Sequence, residues 1–226
     1  MKKVFLVIFI LGFLVATPAY GHKLISHDDD HRSFDTALLI PDHIISWAIY
    51  ENLGENEAKF YSFDAKKGDS LYASIVIPAI QGLEEYSPTL VLINPEKLDS
   101  QTDSMFSQSI AQKFPYEGKY PGKEFYEPFG QITYWERQEI RTEISGDGKY
   151  YLVVMDEKNQ SGKYSLAIGT IEDFSWIDIF TTLPMAWFDS KIFVDDFLSI
   201  AILFFIIVSL IIIPLFVFKK PKLVTN

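Results

Sequence analysis

The most regular pattern in this chain is an alternation of apolar and polar positions in short runs. It is clearest at residues 71–77 and 164–168, and a period of two is typical of strands with one face in a core. Further runs are rich in β-branched and aromatic residues, as strands prefer. We therefore expect an all-β domain over residues 43–171, an antiparallel jelly-roll-like β-sandwich. Its predicted strands are 44–50, 59–63, 71–77, 89–93, 132–135, 139–144, 150–155 and 164–168.

Tight-turn sequences separate these runs. Gly146-Asp147-Gly148 and Asn159-Gln160-Ser161-Gly162 place glycine where the backbone needs a positive φ. The two turns flank residues 149–155 and lead into residues 163–168. We predict that these last two strands form a C-terminal antiparallel hairpin.

Both ends of the chain are apolar. Residues 1–21 combine a basic start, an apolar stretch and small residues at its end, which is the pattern of a cleaved signal peptide. Residues 194–218 would form a helix long enough to cross a hydrocarbon core of roughly 30 Å. Lysines in the tail 219–226 place that tail in the cytoplasm. Residues 172–193, with Trp176 and Trp187, are predicted as a juxtamembrane segment with a short interfacial helix.

These end segments predict where the chain resides. We expect a single-pass type I protein of the cell membrane, held in the lipid bilayer by its C-terminal helix. The N-terminal domain would be extracytoplasmic, at the cell surface or in the periplasm.

Composition narrows the chemistry. The chain has no cysteine and a formal net charge of -10. The lack of cysteine excludes thiol catalysis, thiolate metal sites and disulfides. The negative net charge disfavours nucleic acid as a partner. The chain also carries no nucleophile elbow, zinc-protease helix or phosphate-binding glycine loop. We therefore do not expect an enzyme.

All four histidines lie near the N-terminus. Residues 22–42 form an Asp/His-rich arm, expected to be mobile or draped over the domain. Imidazole suits copper and zinc, and carboxylates suit calcium. If the signal peptide ends after Gly21, His22 offers its amine and its ring nitrogen together, with His27 or His31 as a third ligand. The alternatives are a solvated arm without metal, a transition-metal site with copper first, and calcium. The candidate ligands are His22, His27, Asp28, Asp29, Asp30 and His31.

Residues 95–129 interrupt the strand pattern. A loop of this length in a compact domain is usually functional or disordered, and aromatic residues are spaced through it. They either pack on the flank of the sandwich or form a binding surface. The candidate partner-binding residues are Phe114, Tyr116, Tyr120 and Tyr126.

The pattern of strand and turn residues from Glu57 onward resembles the pre-peptidase C-terminal (PPC) domain of bacteria and archaea. The resemblance lies in 60–63 followed by 67–71 (FYSF, KGDSL), then in 148–154 and 162–168 (GKYYLVV, GKYSLAI). Two departures are Ala58-Lys59, where an acidic residue is usual, and the longer 80–129 region. The resemblance implies a non-catalytic accessory or binding module, sometimes calcium-associated, and fixes no ligand.

Three functions remain open at this stage. The first is a binding or accessory module for a protein, glycan or envelope partner that requires no cofactor. The second is an extracytoplasmic metal-binding protein that uses the N-terminal arm. The third is an enzyme with a carboxylate-based site, such as Glu84-Glu85 or residues 136–139.

Overall fold

The alternating runs fold into two sheets that pack face to face. The computed structural model describes residues 22–94 and 111–217. In these residues the strands are β1 Lys23–Leu24, β2 Leu38–Leu39, β3 Trp47–Leu53, β4 Ala58–Ala65, β5 Ser70–Pro78, β6 Thr89–Ile93, β7 Ala111–Phe114, β8 Glu124–Glu127, β9 Ile132–Glu143, β10 Gly148–Met155 and β11 Gly162–Ile168. One sheet has the order β1-β3-β11-β5-β9-β8, and the other has the order β2-β4-β10-β6-β7. The structure is thus mostly β and sandwich-like.

The core lies between the sheets and follows the alternation. The inward residues of β5 and β11, which include Ile75 and Leu166, are fully buried. Two tyrosines from opposite sheets, Tyr61 and Tyr164, join their hydroxyls across the core at 2.7 Å. Burial, with Glu51 as a lesser cause for both, raises the pKa of each tyrosine well above its usual range. Both therefore stay neutral hydrogen-bonding groups inside the core.

The N-terminal arm is draped over the open end of the sandwich. β1 pairs in parallel with β3 of the six-stranded sheet, and β2 pairs in parallel with β4 of the other sheet. The arm therefore crosses from one sheet to the other between Leu24 and Leu38. This crossing places its central residues, 27–31, next to the gap between the sheets.

The predicted C-terminal hairpin is wrong. β10 pairs with β4 and β6, whereas β11 pairs with β3 and β5 in the opposite sheet. Residues 156–161 therefore bridge the two sheets and do not reverse the chain within one. Asp156 shapes this connection, because its carboxylate accepts hydrogen bonds from the backbone N–H groups of Lys158 and Gln160.

Two strands lie within the segment predicted as a long loop. Residues 95–110 lie outside the described residues, but β7 pairs with β6 and β8 pairs with β9. Both strands are short and lie at the edges of their sheets. Most of their residues are exposed, so they lack the alternation by which the other strands were predicted.

Three helices follow the strands in the described part of the chain: α1 Trp176–Phe180, α2 Thr182–Phe193 and α3 Phe197–Val217. Ser175 and Asp178 form a reciprocal capping box at the start of α1. Phe193, at the end of α2, stacks on Tyr50 with ring centroids 4.9 Å apart. This contact fixes α2 against the outer face of the six-stranded sheet.

The predicted transmembrane helix over residues 194–218 is wrong. None of the helices in the described residues is long and apolar enough to cross a membrane. The chain turns at Asp195, where φ is 59°, and Asp196 caps a helix that begins only at Phe197. The predicted bilayer anchor rested on this helix and loses its support.

Two predicted segments lie outside the described residues. These are the signal peptide over residues 1–21 and the tail over residues 219–226.

Candidate functional site

A groove of about 480 Å³ lies on the outer face of the six-stranded sheet. Its floor consists of small, buried side chains from three neighbouring strands: Ala48, Ser74, Ser165 and Ala167. The strand register places Ala167 between Ala48 and Ser74. Because these side chains are short, a ligand in the groove can approach the sheet closely.

Aromatic rings form the walls of this groove. Phe125 of edge strand β8 is 41% exposed and lies opposite Tyr134 of β9. On the far side, the Arg141 guanidinium lies over the Tyr72 ring at 4.4 Å. Phe125 is therefore the wall residue with the most ring surface open to a ligand.

Charged groups mark the rim of the groove. Lys123 pairs with Glu136 at 3.1 Å, and Arg141 pairs with Glu139 at 2.9 Å. Glu127 lies deeper and accepts a hydrogen bond from the Phe129 N–H at 2.7 Å. The lining thus offers carboxylate acceptors next to an aromatic ring.

Two tyrosines close one end of the groove, next to α2. Burial, followed by the charge of Glu127, raises the pKa of Tyr50, and burial also raises the pKa of Tyr134. Both remain protonated, so they can donate and accept hydrogen bonds.

The predicted partner-binding aromatics occupy different environments. Phe114 packs against the core, and Tyr126 is 58% exposed. Tyr116 and Tyr120 lie beside the guanidinium of Arg137, at 5.1 and 5.3 Å from its central carbon. The structure therefore does not gather these four aromatics into one surface.

Arg137 anchors the loops beside the groove. It is 7% exposed and donates hydrogen bonds to the backbone carbonyls of Tyr86 at 2.9 Å and Glu84 at 3.1 Å. It also donates to the carbonyls of Pro121 and Glu136. This one buried side chain thus links two loops whose proximity was not predicted from the sequence.

The predicted metal ligands also lie in different places and do not form one site. His27 and His31 converge on Glu51 of β3, while Asp29 pairs with Lys59 and Arg32. His22 lies apart, at the edge of the groove, with its Nδ1 2.6 Å from Ser46 Oγ. Asp28 and Asp30 are exposed.

Sequence reasoning missed Glu51 and Lys59. Glu51 lies between Ile49 and Leu53 in the inward register of β3, and Lys59 shares the inward face of β4 with Tyr61. Charged residues at core-facing positions are rare. The signal in the sequence that could have revealed them is that both charged residues stand at inward positions of the apolar–polar alternation.

Comparison with known proteins returns fold neighbours only. No family model matches the chain, and no curated protein sequence matches it. Among solved structures, a periplasmic inhibitor of g-type lysozyme from Aeromonas hydrophila aligns at 13% identity over 59% of this chain and 96% of that chain, with a TM-score of 0.35. The PPC domain of collagenase from Bacillus anthracis aligns at 20% identity over 57% and 91%, with a TM-score of 0.33.

A third neighbour is a carbohydrate-binding module described for specific mannan recognition. It aligns at 14% identity over 52% of this chain and 68% of that chain, with a TM-score of 0.31. The resemblance to PPC domains predicted from the sequence is confirmed by the match to the collagenase PPC domain. At these identities and TM-scores, the matches carry no argument about the ligand of this chain.

Proposed function

We propose that this chain is a non-catalytic binding module that holds a glycan in the groove of its six-stranded sheet. The observation that carries the proposal is the groove itself, floored by Ala48, Ser74, Ser165 and Ala167 and walled by Phe125. A floor of short side chains with an aromatic wall and carboxylates at the rim matches a ring-shaped, hydroxyl-rich ligand.

The size of the groove favours a glycan over a protein surface. Sites for small ligands are concave and measure roughly 300–1,000 Å³, and the groove falls within that range at about 480 Å³. A stable protein interface instead buries about 800 Å² on each partner. A short stretch of oligosaccharide fits the concave shape better than a flat protein face does.

Charge narrows the class of glycan. Glu127, Glu136 and Glu139 line the groove together with Lys123 and Arg137. Arg137 directs its donors to backbone carbonyls, and Lys123 is already paired with Glu136. The carboxylates can still accept hydrogen bonds from sugar hydroxyls, whereas these two cations are already engaged and offer an anionic sugar no free partner. The proposal is therefore a neutral glycan.

An extracytoplasmic location is part of the proposal. It is supported by the signal-peptide pattern over residues 1–21. Glycans of envelopes and matrices would be encountered there.

The test is a binding titration of the full chain against neutral oligosaccharides, with cello-, manno-, malto- and chito-hexaose as probes. Phe125→Ala is expected to weaken the Kd for the best probe at least about tenfold, which corresponds to about 1.4 kcal/mol. Tyr126→Ala is the matched control, because Tyr126 neighbours Phe125 on β8 but points to the opposite face by strand alternation.

Two results would contradict the proposal. Equal weakening by both substitutions, or no binding of any probe at millimolar concentration, would remove the groove as a glycan site. Release of new reducing ends from a bound probe would show that the module is catalytic.

A further inference from the structure

Three potential metal ligands converge at the open end of the sandwich, independently of the groove. His31 Nε2 lies 2.7 Å from Glu51 Oε1, and His27 Nε2 lies 3.2 Å from the same oxygen. One ligand atom from each of the three side chains lies within 4.8 Å of the other two. The two histidines come from the draped arm and the carboxylate from β3, so the fold itself brings them together.

Two of these ligands are buried without hydrogen-bond satisfaction. His31 is 2% exposed and Glu51 is 4% exposed. His31 Nε2 and Glu51 Oε1 have no hydrogen-bond partner among the described residues, although they lie close to each other. The pair is thus near in distance but not aligned for a hydrogen bond. Leaving buried polar atoms unsatisfied is unfavourable, and one cation between them would satisfy both.

The neighbouring charges favour a further cation when both imidazoles are neutral. Asp29, Glu51 and Glu57 supply three carboxylates, whereas Arg32 and Lys59 supply two fixed positive charges. With neutral imidazoles the cluster therefore carries one net negative charge. A divalent ion would leave it with one net positive charge, which a bound hydroxide or another anion would neutralise.

The other groups around Glu51 do not compete for its Oε1 atom. Lys59 Nζ lies 3.9 Å from Glu51 Oε2, the oxygen that does not face the histidines. Tyr61 and Tyr164 are neutral and satisfy each other. Glu51 Oε1 is therefore free to face the two imidazoles.

We propose that His27, His31 and Glu51 bind a divalent transition-metal ion, with Zn²⁺ as the best match. Two imidazole nitrogens and one carboxylate oxygen form a mixed set that zinc accepts, with one position left for water or an outside ligand. Calcium is disfavoured, because it requires six to eight oxygen ligands. Such an ion would tie the arm to β3 at the mouth of the sandwich.

This site differs from a chelate built on an N-terminal histidine. His22 is bonded to Ser46 and does not belong to the cluster. The two sites make opposite predictions for variants at His22 and His31.

The experiment is a metal titration of the full chain with Zn²⁺, followed by Co²⁺ as a spectroscopic probe. We expect one Zn²⁺ per chain and visible d–d bands of four-coordinate Co²⁺. Glu51→Gln and His27→Gln should each weaken the Zn²⁺ affinity at least about a hundredfold, because each removes a ligand. His27 is partly exposed, so His27→Gln keeps the test usable where a buried substitution does not fold.

His43→Gln is the matched control. His43 is also buried and lies 3.7 Å from a carboxylate, Asp69, but stands outside the cluster. Its Zn²⁺ affinity should equal that of the parent chain. His22→Gln should also bind as the parent does.

Four results would overturn the proposal. The first three are equal Zn²⁺ affinity in the His27, Glu51 and His43 variants, loss of binding only in His22→Gln, and binding of Ca²⁺ in preference to Zn²⁺. Absence of Zn²⁺ and Co²⁺ binding at micromolar concentration would likewise overturn it.

Discussion

Replacing Arg137 by methionine should destabilise the sandwich more than any change at an exposed charge. Methionine fills a similar volume but donates no hydrogen bond. The carbonyls of Tyr86 and Glu84, which accept from Arg137 at 2.9 and 3.1 Å, would lose their donor. A hydrogen bond from a charged group contributes about 1.5–3 kcal/mol.

The net magnitude follows from these two contacts. Their sum is about 3–6 kcal/mol, and the desolvation of the buried guanidinium, which methionine avoids, offsets part of it. We expect a loss of about 3 kcal/mol in the free energy of unfolding. For a chain of this size that corresponds to a fall in Tm of about 6–12 °C.

The assay is urea unfolding and thermal unfolding followed by circular dichroism, with Arg141→Met as control. Arg141 lies on the same strand, pairs with Glu139 and covers Tyr72 at 4.4 Å, but it is exposed. Exposed pairs contribute about 0–1 kcal/mol. Equal effects of the two substitutions, or a loss below about 1 kcal/mol at Arg137, would refute the loop-anchoring role assigned to Arg137.

Three other predictions concern the stability of the fold that supports the groove and the metal cluster. Tyr164→Phe should cost about 1–2 kcal/mol because it leaves the Tyr61 hydroxyl unpaired, and adding Tyr61→Phe should recover part of that loss in a double-mutant cycle by urea unfolding. Gly169→Ala should cost more than about 2 kcal/mol by the same measurement, since φ is +73° and the added Cβ would meet the Ile45 carbonyl oxygen at 2.1 Å. Hydrogen bonds from Lys191 and Ser199 lower the pKa of Asp196 from 3.8 to about 2. Its stabilisation is therefore present above about pH 4 and lost as the pH falls through about 2, so Asp196→Asn should flatten the pH dependence of stability in that window.

The results that would contradict these three are equally specific. They are a double tyrosine variant as unstable as the sum of its single variants, a stable Gly169→Ala, and an Asp196→Asn chain whose stability falls with pH as steeply as that of the parent.

The central strands were predictable because one of their faces is buried. Residues 71–77 and 164–168 lie within β5 and β11, and Ile75 and Leu166 are fully buried as the alternation indicates. Burial of one face specifies both the period and the register of a strand. Edge strands such as β8 lack this signal, since three of its four residues are exposed.

The pairing of strands was harder to predict than their existence. The turn residues at 159–162 indicate a change of direction, but they do not specify which sheet the next strand joins. β11 pairs with β3 and β5 through side chains far away in the sequence. The predicted hairpin failed for this reason.

Only some ligands of the candidate metal cluster could be predicted from the sequence. The Asp- and His-rich composition of the arm indicated His27 and His31 as candidate ligands. Glu51 lies on β3, and only the parallel pairing of β1 with β3 brings it next to the two histidines. The groove was not visible at all, because Ala48, Ser165 and Ala167 are ordinary strand residues until three strands lie side by side.

The most direct test of the proposed function is to locate a bound neutral oligosaccharide on the chain by backbone-amide NMR titration. We expect the largest shift changes on the groove floor, at Ala48, Ser74, Ser165 and Ala167, and at Phe125 on its wall. Largest changes at Tyr116 and Tyr120, or along the arm at residues 22–42, with an unchanged groove floor, would contradict it.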